Sequence, residues 1–345
     1  MAIDCSNLEI EGWGHVRDSF SLVIEAAAKL LGIEADYQTI YAMSANCFAP
    51  VLDPGESCTA WWNMVAGGSL ELVGARFGLS FRKLDVDIPS DTKEREARMP
   101  DILAETARLA REALENDKVV ITAGGWKFFP PDSGNFAPWC FWGIITSVGD
   151  DGIMKGTTLN KKKDHPVQWP YPVWAVTRSE QAITERESDI RMLQRGIDRI
   201  NGTEKPLLGE KHVAGLAAMD MWAYQFNKVP YCPDCGEQSW SCAVSTVQPV
   251  YHGAKNICDY LKARASDYSE SEKTLLQSVT DHYHTIASKL EPFAVKKTDG
   301  HWLYEEIIGD SVKQKTHAEV ITRIKNEMAA AAGDMEKAVK AIKNP

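Results

Sequence analysis

The most specific chemical spacing in the chain is Cys232-Pro233-Asp234-Cys235-Gly236. Two thiols separated by two residues across a tight turn can bind one metal ion as thiolates, the geometry of a zinc knuckle. Cys242 is a candidate third ligand and His252 a candidate fourth. A closed structural site normally takes a second matched pair, and the sequence holds no second CxxC. A loop carrying two free thiols therefore stands beside the structural-zinc reading. His282 and His284 are two residues apart on a helical stretch, so their rings face different sides and do not chelate one ion. Asp150-Asp151 falls where a hairpin turn is expected, and Asp is common there on turn grounds alone. There is no GxxxxGK[ST], GxGxxG or HExxH, which leaves nucleotide hydrolysis, dinucleotide chemistry and zincin proteolysis without support.

Aromatic side chains form the second cluster. Trp13, Trp61, Trp62, Trp126, Trp139, Trp142 and Trp169 all fall in loops and strand ends of the first half. With Phe141 and the carboxylate of Asp18, they could line an apolar pocket for a small-molecule, acyl or peptidyl ligand. Ordinary packing under long loops accounts for the same pattern.

These residues need elements to position them. Leu22, Val23, Ala26, Ala27, Leu30 and Leu31 recur at helical spacing between Asp18 and a stop at Gly32. Further helices are expected over Asp36 to Ser44, Trp61 to Phe77 and Asp101 to Leu114. The period then becomes extended. Phe81 to Ile88 alternates like a short strand, and Lys118 to Ala123 (KVVITA) reads as a buried one. Phe141 to Val148 and Gly152 to Leu159 form a hairpin around Asp150-Asp151-Gly152, and Val173 to Thr177 is a further strand. Gly124 to Trp139 and Lys161 to Pro172 read as loops. After residue 180 only helical patterns remain, over Glu180 to Ile200, Lys211 to Phe226, Val250 to Ala265, Ser271 to Leu290 and Lys315 to Ile342. That order predicts an α+β domain over 1–179 with an antiparallel sheet, followed by an all-helical domain over 180–345.

The bulk numbers bound the partners. The net charge of −10 over 345 residues disfavours nucleic acid, and Lys161-Lys162-Lys163 is too short a basic run to reverse this. Met1 to Ile10 has neither a basic n-region nor an apolar h-region, and no apolar run is long enough for a membrane helix. Eight cysteines are too sparse for a disulfide scaffold. The expectation is a cytoplasmic protein with no membrane partner.

Several segments carry a resemblance. They are Gly12-Trp13-Gly14 leading into Asp18-Ser19, DYQTIYAMSANCFAP at Asp36 to Pro50, and ESCTAWW at Glu56 to Trp62. The KVVITA strand and the hairpin opening WGIIT at Trp142 follow. The second half adds HVAGLAAMDMWA at His212 to Ala223, HGAKNICDYLKARA at His252 to Ala265 and GDMEKAVKAI at Gly333 to Ile342. Together they resemble the butirosin biosynthesis protein H-like family, which joins a papain-like (C39-peptidase-like) domain to an all-helical tail. The resemblance covers about residues 12 to 342.

The resemblance implies transfer of an acyl group from a carrier protein to an amine. That chemistry uses a thiolate at the start of the first helix, an imidazole at a strand start and an Asn or Asp to orient it. Here Ser19 falls at the expected thiol position. The residues before WGIIT are Pro138, Trp139, Cys140 and Phe141, and none is a histidine. Asn160 or Asp164 matches the orienting residue. Cys58 with His15 is a replacement pair, and His165 is another candidate base. Cys47 and Cys140 read as small buried hydrophobes. Three functions follow: a pseudoenzyme that binds a ligand in the surviving cleft, a diverged acyltransferase or amide hydrolase working through an acyl intermediate, or a structural component of a homo-oligomer.

Overall fold

Asp18 starts the first described helix, α1 (Ser19–Leu30), as its N-cap: its Oδ2 accepts the Ser21 N–H at 2.8 Å. Gly32, at φ +65°, ends it. Arg178 donates to the carbonyls of Leu31 and Gly32, and a Cβ on Gly32 would lie 2.6 Å from the guanidinium. The computed structural model describes residues 8, 10, 18–52, 67–126, 141–159, 161–204, 207, 212–227, 246–294, 307 and 310–343. By its contacts the chain divides into two compact units, Met1–Ile40 with Val73–Ile183, and Tyr41–Leu72 with Thr184–Pro345.

The first unit is built on a six-stranded antiparallel sheet. Its strands are β2 (Leu79–Lys83), β3 (Val119–Thr122), β4 (Gly143–Val148), β5 (Met154–Thr158), β6 (Lys161–Pro166) and β7 (Val173–Arg178), in spatial order β2-β7-β3-β4-β5-β6. In register, Val120 pairs with Ile145 and Ala175, so these three side chains share one face. They pack with Ala107, Ala110 and Ala113 of α4 (Thr92–Glu115). Ile121, Ile144 and Trp174 are paired on the opposite face. On that face Trp142 stacks on Trp174 with centroids 5.1 Å apart and meets Phe20 of α1 edge-on at 5.0 Å. The sheet is therefore a middle layer between α4 and α1. Every residue of β3 is buried, as expected of a strand covered on both faces.

Three expectations change here. The strand placed over Phe81 to Ile88 lies earlier, at Leu79–Lys83, because its pairing with β7 runs from Leu79↔Arg178 to Lys83↔Trp174. The segment from Lys161, read as a loop, begins with β6, an edge strand paired only to β5 among the described residues. Lysines and a proline suit an edge, where one side needs no partner. Finally, α4 starts at Thr92, capped by Asp91, and carries Pro100 in its interior.

The second unit is helical: α5 (Glu185–Ile200), α6 (Gly215–Asn227), α7 (Val247–Arg264), α8 (Glu270–Ala294) and α9 (Ser311–Lys343). Thr184 caps α5, its hydroxyl accepting from Glu187 N–H. Ser269 and Glu272 make half of a capping box before α8, with Ser269 N–H donating to Glu272 Oε2 at 2.8 Å. Two short strands, β1 (Val51–Leu52) and β8 (Val213–Ala214), pair antiparallel. The helix α2 (Tyr37–Met43) leads into this unit, and α3 (Ser69–Phe77) leads back out of it.

Residues 44–52 belong to the second unit because their backbone is built into it. Tyr283 Oη donates to the Phe48 carbonyl at 3.0 Å, and Arg199 Nε donates to the Ala49 carbonyl at 3.2 Å. Gly196 and Gly253 make room for Phe48 and Cys47: a Cβ at either would come within 2.8 Å. The fold is thus α+β, an antiparallel sheet with helices followed by helices, with nine α-helices among the described residues. No described helix is long and apolar enough to cross a membrane.

Candidate functional site

The N-terminus of α1 meets the start of β4 through one long-range hydrogen bond. The Trp142 N–H donates to Ser19 Oγ at 3.3 Å, across 123 residues of sequence. Both ends are fixed. Asp18 N–H donates to Tyr37 Oη at 2.9 Å, and the Asp18 carboxylate also accepts the Ser21 hydroxyl at 2.6 Å. Thr158 Oγ1 donates to the Trp142 carbonyl at 2.7 Å, tying β5 to the same residue. Trp126 Nε1 donates to the Phe141 carbonyl at 3.0 Å.

This arrangement brings Asp18 and Ser19 to Phe141 and Trp142, while Trp126 reaches the Phe141 carbonyl from the α4 side of the sheet. A nucleophilic hydroxyl must pass its proton to a base. Among the described residues, the one hydrogen-bond partner of Ser19 Oγ is a main-chain N–H, which donates and cannot accept. His165 is the one described imidazole in this unit. It pairs with Gly156, two strands from β4 and about three residues along, which strand geometry puts about 14 Å from Trp142. The Asp18 carboxylate is engaged as a helix cap, accepting from the Ser21 N–H and hydroxyl.

The aromatic residues at the start of β4 are packed. Trp126 is 0% exposed and Trp142 1%, and Phe141 is also buried. Trp126 lies among Val120, Ile145 and Val167, and Gly143 has no Cβ because the Trp126 ring occupies that space. His15, Trp13, Cys58, Trp61, Trp62, Cys140 and Asn160 lie outside the described residues. Cys47 is buried in the second unit, in no disulfide, and packed against Gly253.

Of the proposed zinc ligands, Cys232, Cys235 and Cys242 also lie outside the described residues. His252, on α7, is half-buried. Burial, reinforced by Lys255, pushes its imidazole down to about 4. It is therefore neutral at pH 7, the form a metal ligand takes. Its Nε2 lies 3.1 Å from Gln248 Oε1, and its ring packs edge-on to Tyr251. Among the described residues no group of three or more His, Cys, Asp or Glu is placed to hold a metal ion.

The second unit holds buried polar groups that the sequence did not single out. Asp189, on α5, accepts from Tyr260 Oη, from Tyr268 Oη at 2.6 Å and from Arg264 Nε at 3.0 Å. Burial and then the Asp189 charge push the Tyr268 hydroxyl far up, so it stays a donor. Arg199 is 0% exposed, and burial brings its guanidinium down to about 10. Arg195 pairs with Glu204 at 2.6 Å and bonds Ser69 Oγ at 3.1 Å beside a cavity of about 270 Å³. Arg191 on the same wall pairs with Glu187, so these two cations are each matched by a carboxylate. The pattern i, i+4 for Arg191 and Glu187 was visible in the sequence; the long-range pairs were not.

No protein-family model matches the chain, and no curated protein matches it. The class that the geometry defines is an α+β unit, with a helix N-terminus docked on a strand start, accompanied by a helical unit.

Proposed function

We propose that the first unit is a papain-like, C39-peptidase-like domain of the butirosin biosynthesis protein H-like kind, acting as a ligand-binding pseudoenzyme. The observation that carries the proposal is the Trp142 N–H donated to Ser19 Oγ. In an acyl-transfer enzyme of this architecture, the helix-start nucleophile faces a base at the strand start. Here Phe141 and Trp142 occupy that strand start, and the Ser19 hydroxyl accepts an amide N–H with no described side chain beside it to take its proton. The ligand class, a small molecule with an acyl or peptidyl portion, follows from the family resemblance.

An octanoyl thioester of N-acetylcysteamine tests this reading. The expected result is a raised unfolding midpoint with the thioester intact after hours of incubation. Turnover of the thioester that is lost in Ser19→Ala overturns the pseudoenzyme reading in favour of the diverged acyltransferase or hydrolase. Neither stabilisation nor turnover overturns the acyl ligand class.

A further inference from the structure

The cavity of about 270 Å³ in the second unit is lined by two charged groups that bond to nothing else in the described protein. Its walls come from the start of α3, from one face of α5 and from Lys343, the last residue of α9. All its lining residues belong to the second unit. Its volume lies just under the roughly 300–1,000 Å³ of drug-sized sites, which suits a small metabolite.

The α5 wall is a helical stripe of Ile190, Arg191, Gln194 and Arg195. Its polar groups are committed. Arg191 pairs with Glu187 at 2.6 Å, the Gln194 amide donates to Asp198 at 3.2 Å, and Arg195 pairs with Glu204 at 2.6 Å. The Arg195 guanidinium is also wedged against the start of α3, since a Cβ on Gly68 would lie 2.3 Å from its Nη1. Leu72, which is buried, and Ile190, which is half-buried, supply the apolar surface.

Glu71 and Lys343 remain. Both are exposed. Glu71 is near enough to Arg195 to interact with its charge, yet among the described residues neither Glu71 nor Lys343 makes a hydrogen bond or an ion pair. One carboxylate, one ammonium and an apolar surface in one cavity complement a ligand that carries both charges on an apolar body. A simple anion would gain Lys343 and face Glu71, and a simple cation would gain Glu71 and face Lys343. We propose that this cavity binds a free amino acid with an apolar side chain, its ammonium on Glu71 and its carboxylate on Lys343.

Ligand-detected NMR titration of the full chain with L-leucine tests the site. L-leucinamide keeps the ammonium without the carboxylate, and N-acetyl-L-leucine keeps the carboxylate without the ammonium. The expected result is saturable binding of L-leucine, weakened about fivefold in each blocked form, the size of one exposed ion pair. In Glu71→Gln, L-leucine and N-acetyl-L-leucine should bind alike; in Lys343→Met, L-leucine and L-leucinamide should. Both substitutions change exposed side chains, so the fold is kept. Absence of saturable L-leucine binding overturns the proposal, as does equal binding of all three compounds to the wild type. Discrimination that survives either substitution also overturns it, because the amino acid would then be held elsewhere.

Discussion

Acid is expected to destabilise the helical unit through His317, and the amount follows from where the ring sits. His317 is 1% exposed, with Phe293 at 4.4 Å and Trp222 at 6.2 Å between ring centroids. Burial pushes its imidazole down to about 4, against about 6.5 in an unfolded chain. The folded value is the lower one, so the unfolded chain binds the extra proton between those two pH values. Stability is therefore full above pH 6.5 and is lost as pH falls towards 4. The complete loss is about 3 kcal/mol, of which about 2 kcal/mol is already gone at pH 5. The perturbation is His317→Leu, which keeps an apolar ring environment and removes the titration. Urea unfolding of both proteins at pH 7 and pH 5 gives a difference of differences, in which His252 and the carboxylates cancel. The wild type should lose about 2 kcal/mol more than the variant between the two pH values. Equal losses in the two proteins refute the reasoning, because His317 would then titrate alike folded and unfolded.

Other perturbations follow from single contacts. Asp189→Ala strips one acceptor from Tyr260, Tyr268 and Arg264 at once; thermal unfolding should show a loss of about 3–5 kcal/mol, and a loss below about 1 would mean the network is not holding α5 to α7. Gly196→Ala and Gly333→Ala are both changes inside helices, yet they should differ in sign. At Gly196 a Cβ falls 2.8 Å from the Phe48 ring, so overpacking of about 1–3 kcal/mol outweighs the helix-propensity gain. At Gly333 nothing lies within 4 Å, so urea unfolding should show a gain of up to about 1 kcal/mol. Thr184→Ala removes the α5 cap and should cost about 1 kcal/mol by the same assay, with Thr184→Ser restoring it.

Local periodicity made much of the fold legible. KVVITA is β3, the WGIIT hairpin is β4 and β5, and the five helical patterns after residue 180 appear as α5 to α9. What was hidden depends on non-local pairing. KKKDHP has no alternating apolar pattern, and its place in the sheet comes from pairing with β5. The first two turns of α4, TKEREARM, carry almost no apolar stripe, and Pro100 reads as a break although Asp91 caps the helix nine residues earlier. The assignment of residues 41–72 to the helical unit rests on Phe48, Ala49 and Cys47 meeting α5, α7 and α8, contacts that no local window contains. At the candidate site, spacing put the helix start at Asp18 or Ser19, and the cap is Asp18. The approach of Ser19 to Trp142 was an expectation of the family resemblance alone, because 123 residues separate them.

The central claim is that Ser19 is a positioned hydroxyl, with no base beside it among the described residues. A fluorophosphonate, which reacts with activated serines, tests it most directly when labelled protein is digested and its peptides weighed. The account predicts no phosphonyl adduct on the peptide containing Ser19 after prolonged exposure. A stoichiometric adduct on Ser19 would contradict it, since the hydroxyl would then have a base that takes its proton.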